Sequence, residues 1–291
     1  MKILTDCAAD LTSEEARSLD ITIAPLFIQF PEGEVRSDDL SPDEFYSRLE
    51  GMQPQIPTTA QPSVGVFMEL FQKLASTGDE ILSIHISSGL SGTINSARLA
   101  AEKIKDSPVQ VVDSLTLSGG QRFQVLAAAR AVKAAWQKAA ILERLDAIRK
   151  ATEVVYTLDT LSYLARGGRI GRVQALAGSL LGIKPIIRVD REDGKYSTAG
   201  RARTINRALQ DIAAHLAKFY NRETVVWVSV LHGKFEEQAQ SLAGLLKDSL
   251  NVGKLEILRV SPVLGVHTGP GVVGAAVVPM RLLEEIEERS G

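Results

Sequence analysis

Short apolar runs alternate with longer amphipathic stretches along most of the chain. Lys2 to Thr5, Ile21 to Phe30, Ile81 to Ser87, Val109 to Val112 and Val154 to Leu158 are brief, rich in branched residues and bounded by polar positions, which predicts strands. Helical patterns fill most of the gaps. Ser13-Glu14-Glu15 and Ser41-Pro42-Asp43-Glu44 each supply a capping hydroxyl and an acidic first turn, and Ser63 precedes the amphipathic Val64 to Ala75. This βαβ rhythm predicts an α/β fold with a mainly parallel sheet in the first half of the chain.

Beyond Val154 the pattern changes. Ile183 to Val189 and Tyr196 to Arg203 flank Asp190-Arg191-Glu192-Asp193-Gly194, a polar turn that predicts a hairpin and hence a mixed sheet. Helices over Thr204 to Phe219 and Phe235 to Leu246 then alternate with strands over Thr224 to Leu231 and Leu255 to Val260. We expect one unit of two α/β lobes, residues 1–160 and 161–291. No repeat of fixed period or low-complexity linker separates them.

Composition narrows the class. With 45 % hydrophobic and 23 % charged residues, the 291-residue chain is globular, and a net charge of -2 offers no basic excess for a nucleic-acid backbone. Cys7 is the sole cysteine, so no intrachain disulfide forms and a cytoplasmic location is expected. The start, Met1 to Asp6, meets a carboxylate before a signal-peptide core develops, and no apolar run reaches about 18 residues, the length of a membrane span.

Four segments carry candidate chemistry. Ser87-Ser88-Gly89-Leu90-Ser91-Gly92-Thr93 joins a strand to the helical stretch Ile94 to Ile104, a place where free backbone N–H groups favour a carboxylate or phosphate. Equally, Ser91 or Thr93 serves there as a helix cap. Ser91 lacks the outer glycine of a G-x-S-x-G elbow, which weakens a serine-hydrolase reading. Pro57-Thr58-Thr59-Ala60-Gln61-Pro62-Ser63 holds hydroxyls on an extended chain, or is a proline-punctuated loop with Ser63 as cap. Gly265-Val266-His267-Thr268-Gly269-Pro270-Gly271 places one histidine on what its glycines and proline predict to be a tight turn. His85, His215 and His232 fall in strand or helix patterns and read as structural. Leu164-Ala165-Arg166-Gly167-Gly168-Arg169-Ile170-Gly171, with Arg172, Arg201, Arg203 and Arg207, offers guanidinium groups to an anion or to solvent. No metal-ligand spacing, dinucleotide fingerprint or P-loop is present, so no cofactor is expected.

Taken together, the clusters resemble the DegV family over nearly the whole chain. Thr5-Asp6-Cys7-Ala8-Ala9-Asp10-Leu11 resembles its T-D-S-x-x-D-L, Pro57 to Ser63 its P-T-T-S-Q-P-S, and Ser88 to Thr93 its S-G-L-S-G-T. Asp113-Ser114, Gly167 to Ile170 and His267 to Gly271 match further segments in order. The resemblance implies a two-lobed fold with a lipid pocket at or near the lobe interface. It also implies a role as the fatty-acid-binding component of a bacterial fatty-acid kinase, not itself an enzyme, which presents a long-chain fatty acid to a separate ATP-binding kinase subunit for phospholipid synthesis.

By the same resemblance Thr59, Ser91 and His267 hold the carboxylate, with Ser88, Gly92 and Thr93 in the head-group loop. Arg169, Arg201 and Arg203 serve anion stabilisation or kinase docking, and transient contact with a membrane surface is compatible with the role. Cys7 and Ala60 depart from the family pattern, each replacing a serine. Two other readings remain: a hydrolase or acyl transferase with Ser91 as nucleophile and His267 as base, and a sensor of another small amphiphile.

Overall fold

The computed structural model describes residues 1–76, 78–105, 107–177 and 182–288. Its strands are β1 (Lys2–Asp6), β2 (Ile21–Ala24), β3 (Phe27–Phe30), β4 (Gly33–Arg36), β5 (Thr58–Ala60), β6 (Ile81–His85) and β7 (Val109–Asp113). They continue with β8 (Glu153–Leu158), β9 (Lys184–Val189), β10 (Tyr196–Ala202), β11 (Val225–His232), β12 (Asn251–Arg259) and β13 (Val272–Pro279). A parallel sheet runs β2-β1-β6-β7, and a mixed sheet runs β10-β9-β8-β13-β11-β12. The parallel sheet and the antiparallel β9–β10 hairpin follow the sequence pattern, whereas β13, at the centre of the mixed sheet, was not expected.

A small antiparallel sheet, β4-β3-β5, was not expected. It arises because the apolar run Ile21 to Phe30 is two strands. Pro25 has no N–H to continue a ladder, so the chain leaves the parallel sheet there and re-pairs as β3. The first helix, Ser13–Ser18, is capped by Thr12 and not by Ser13, in a reciprocal box with Glu15. β8 already belongs to the mixed sheet, so the chain enters that sheet at Glu153, just before the expected lobe change at 160/161.

The layers explain the core. Helices Val64–Ala75 and Thr93–Ala101 cover one face of the parallel sheet through Phe67, Phe71, Ala97 and Ala100. Helices Ile205–Phe219 and Glu236–Ser249 cover the outer face of the mixed sheet through Ile212, Leu216, Leu242 and Leu246. Between the two sheets lies helix Ser118–Lys133, buried along nearly its whole length, as a segment touching both sheets must be. Gly119 lets it approach β13, since a Cβ there would come within 2.6 Å of Ala276 Cβ.

One charged side chain is enclosed with it. Arg122 is fully buried; its Nε donates to Glu15 at 3.0 Å, its Nη1 donates to Ser229 Oγ at 3.1 Å, and it forms ion pairs with Glu15 and Glu256. Glu15 comes from the first helix, Ser229 from β11 and Glu256 from β12, so a single guanidinium ties the N-terminal layer to the mixed sheet. Asp6 forms a second buried hub. Its carboxylate accepts from Ala8 N–H, Ile86 N–H and Gln121 Nε2, and lies 2.9 Å from His85 Nδ1. The Thr5-Asp6 motif is thus an anchor between β1, β6 and the central helix.

Cys7 sits beside this hub, where its Sγ accepts from Leu26 N–H at 3.3 Å. Burial pushes its thiol up to about 12, so it stays protonated at neutral pH. We expect Cys7 in the native protein to react with a disulfide reagent at pH 8 at least about tenfold more slowly than in the unfolded chain, because thiolate is the reactive form. Equal rates in buffer and denaturant would contradict this.

Candidate functional site

β5 and helix Pro262–Thr268 build the first half of the site. Thr59 pairs with Ile28 of β3, and Pro57 and Pro62 bracket the strand. Pro262 begins the helix and Gly269, at φ 75, ends it. Thr59 Oγ1 and His267 Nε2 are 2.8 Å apart. His267 therefore stands in the last turn of a helix and not on the tight turn its glycines suggested. Gly265 instead lets the helix cross Phe45 and Tyr46, for a Cβ there would lie 2.6 Å from Phe45 Cε1 and 2.7 Å from the Tyr46 hydroxyl.

The histidine is held uncharged. Burial, followed by the positive charge of Arg169, pulls its pKa down to about 4. Its Nδ1 is buried with no hydrogen-bond partner and faces Gly167, where any Cβ would collide with it. Arg169 Nη1 donates to the Gly167 carbonyl at 2.7 Å, which fixes the guanidinium on that side of the imidazole.

Ser91 is positioned separately, in the turn between β6 and helix Thr93–Ala101. Asp113, at the end of β7, accepts from Ser88 N–H at 3.2 Å and from Leu115 N–H at 2.9 Å, and Ser87 Oγ accepts from Gly89 N–H at 3.0 Å. These bonds order the loop. Ser91 Oγ lies 2.8 Å from Thr93 Oγ1 and accepts from Thr93 N–H at 3.3 Å. The cap residue, Gly92, has no side chain to offer, so Ser91 serves the helix from one position further out.

Gly92 presses on Gln61, whose amide donates to Ser96 Oγ at 3.0 Å, and this contact joins the loop to the chain leaving β5. Among the described residues no hydrogen bond links the Ser91–Thr93 pair to the Thr59–His267 pair. The hydrogen bond that a Ser91 nucleophile would make with His267 is not formed.

The other predicted arginines diverge. Arg201 and Arg203 are exposed at the end of β10, Arg207 pairs with Asp211, and Arg172 pairs with Asp193. Arg169 is the one placed beside His267. The hairpin turn after β9 contributes a contact that no local pattern announces: Gly194, at φ 65, packs on Ser87 and Leu115, and a Cβ on Gly89 would lie 2.7 Å from the Asp193 carbonyl.

Two cavities are walled by chain neighbours of these residues, though not by Thr59, Ser91 or His267 themselves. One is apolar, about 40 Å³, and lies between the central helix, the mixed sheet and helix Pro262–Thr268; its walls include Leu117, Tyr156, Tyr196, Leu231, Leu264 and Thr268. The other is a cleft of about 450 Å³ walled by Gly89, Leu90, Gly168, Arg169, Arg172, Lys195 and Tyr196. Tyr196 borders both, and burial pushes its phenol up to about 12, so it stays neutral.

Sequence comparison agrees with this architecture. The DegV family model, described as one of uncharacterised proteins, matches residues 1–280, and the chain belongs to that family. A DegV domain-containing protein of Deinococcus radiodurans is 36 % identical over 285 residues, covering 96 % of this chain and 98 % of that protein. Among solved structures, a DegV family protein of Thermus thermophilus described as fatty-acid-binding superposes with a TM-score of 0.89 at 30 % identity, over 96 % of this chain and 99 % of that one. A stearic-acid-binding protein of Eubacterium ventriosum gives 0.87 at 29 % identity, over 96 % and 98 %. The two-lobed α/β fold with one parallel and one mixed sheet is the fold these proteins share.

Proposed function

We propose that this protein binds one long-chain fatty acid, with the carboxylate at Thr59, Ser91 and His267 and the tail entering the apolar cavity, whose walls must part well beyond its present volume of about 40 Å³ to take the chain, and that it presents that carboxylate to a separate ATP-binding kinase subunit. The observation that carries the reading is the design of helix Pro262–Thr268. It turns Leu264 and Thr268 into the apolar cavity and places His267 against Thr59 beside them. The solved relatives described as fatty-acid-binding support it.

The chemistry fits. With the imidazole proton on Nε2, His267 donates to Thr59 Oγ1 and leaves the Thr59 hydroxyl hydrogen free for a carboxylate, and of the Ser91 and Thr93 hydroxyls one donates to the other and one stays free. Ser88 and Gly92 shape the loop that delivers the second pair. A neutral His267 adds no charge of its own, and Arg169 supplies the cation that an anion at a partly apolar site requires. The tail contributes most of the affinity, at about 0.8 kcal/mol per buried methylene.

In the presenting step a carboxylate oxygen attacks the γ-phosphorus of ATP on the partner. The bond to the β-phosphate oxygen breaks, and ADP leaves as the acyl phosphate forms. Exposed Arg201 and Arg203 are then available for docking the kinase, in the cytoplasm where ATP is supplied. Among the described residues no helix is long and apolar enough to cross a membrane.

Thr59→Ala should weaken palmitate binding about tenfold, the value of one or two lost hydrogen bonds to a charged group. Titration calorimetry checks this, and an unchanged Kd would remove Thr59 from the site. Reconstitution with an ATP-binding kinase subunit and fatty acid should yield acyl phosphate. Its absence would remove the presenting role while leaving binding intact.

A further inference from the structure

Tyr163 stands behind both halves of the Thr59–His267 pair. It lies in the short helix Ser162–Arg166, is buried, and belongs to the same apolar cluster as Ile28 and Val266. Ile28 is the cross-strand partner of Thr59, and Val266 precedes His267 in the chain. The Tyr163 ring also fills the space beside Gly269, the residue that ends the helix of His267, and a Cβ at Gly269 would collide with it.

The polar end of the side chain reaches the other way. The Tyr163 hydroxyl accepts from Gln53 Nε2 at 2.8 Å, on the segment that leads into β5, and Arg166 of the same short helix donates to the neighbouring Pro54 carbonyl. The Tyr163 backbone carbonyl accepts from Gly167 N–H at 2.9 Å, and Gly167 is the residue packed on His267 Nδ1. One residue therefore touches the approach to the threonine, the end of the histidine's helix and the glycine that covers the imidazole. Binding groups keep a productive geometry only when their surroundings lock them in place.

We propose that Tyr163 is a positioning residue, which holds Thr59 and His267 in register for the fatty-acid carboxylate. This role rests on the fatty-acid reading. Tyr163 walls neither of the two cavities, so it acts through the pair and not on the ligand. Its two parts have separate tasks. The ring fixes the end of the helix and keeps the imidazole covered, and the hydroxyl fixes the chain entering β5.

The test combines palmitate affinity from titration calorimetry with an NMR titration of the His267 imidazole, its signal assigned by loss in His267→Gln. In the native protein that imidazole should titrate at about 4. Tyr163→Ala should weaken palmitate binding about tenfold, the value of one oriented hydrogen bond to a charged group. It should also raise the His267 pKa toward the ordinary 6.5, because burial is the main cause of the low value, while Arg169 stays beside the ring and keeps it below 6.5. Tyr163→Phe should restore the native imidazole titration and weaken palmitate only about threefold, through the lost bond from Gln53. Gln53→Ala should match it, and the double variant should be no weaker than either single one, since both remove the same bond.

Palmitate affinity within about twofold of native in Tyr163→Ala, with His267 still titrating at about 4, would overturn the proposal. Additive losses in the Gln53 and Tyr163→Phe cycle would do the same. Should Tyr163→Ala fail to fold, that cycle decides alone: overlapping losses support the role, and unchanged affinity in both single variants removes it. A native protein that takes up no palmitate, but whose His267 titration still responds to Tyr163→Ala, would overturn the fatty-acid reading and leave the hold on the imidazole standing.

Discussion

Arg122→Ala should lower the unfolding free energy at pH 7 by about 3–5 kcal/mol, because it strands two carboxylates around an emptied buried position. Glu15 and Glu256 both depend on that guanidinium, and Trp227 Nε1 and Ser229 Oγ also donate to Glu256, at 2.8 Å and 2.6 Å. Burial alone would push Glu256 up from its ordinary 4.5. The hydrogen bond and charge of Arg122, with Ser229 and Trp227, outweigh burial and hold it below that value. A carboxyl whose folded value is depressed gives stability that is present above the ordinary value and lost as pH falls through the folded one. The gap between native protein and variant should therefore narrow when unfolding in guanidinium chloride is repeated at pH 4. A difference below about 1 kcal/mol at pH 7 would show that water or rearrangement compensates the pair.

Leu264→Trp should abolish fatty-acid binding while the protein remains folded. Leu264 lines the apolar cavity one turn before His267, so an indole there occupies tail space and leaves the Thr59–His267 pair in place. Excluding about four methylenes costs about 3 kcal/mol, on the order of a hundredfold in Kd. Overpacking should lower stability by only about 1–3 kcal/mol. Displacement of a fluorescent fatty acid measures the first effect and thermal unfolding the second. Retained affinity with an unchanged melting temperature would place the tail elsewhere.

The parallel strands and the hairpin were readable because their apolar runs stand between clear breakers, as at Asp190 to Gly194. β4 and β5 were not: Gly33 to Arg36 and Thr58 to Ala60 are short and largely polar, and their pairing on β3 is a tertiary fact. β13 was missed because it follows Gly269-Pro270-Gly271, although it is buried along its full length between β8 and β11.

The site divides in the same way. Ser91 could be argued from its strand-to-helix turn, but Thr59 and His267 lie 208 residues apart and were grouped only by family resemblance. Asp113, Gln61 and Tyr163 act through contacts made across the fold, with no local signal beyond Asp113-Ser114 as a family match.

Native mass spectrometry of the protein purified from a lipid-containing host tests the central claim most directly. One long-chain fatty acid should be bound per chain, displaced by added palmitate and absent from Leu264→Trp. A mass equal to the bare chain, together with no uptake of added palmitate, would contradict it.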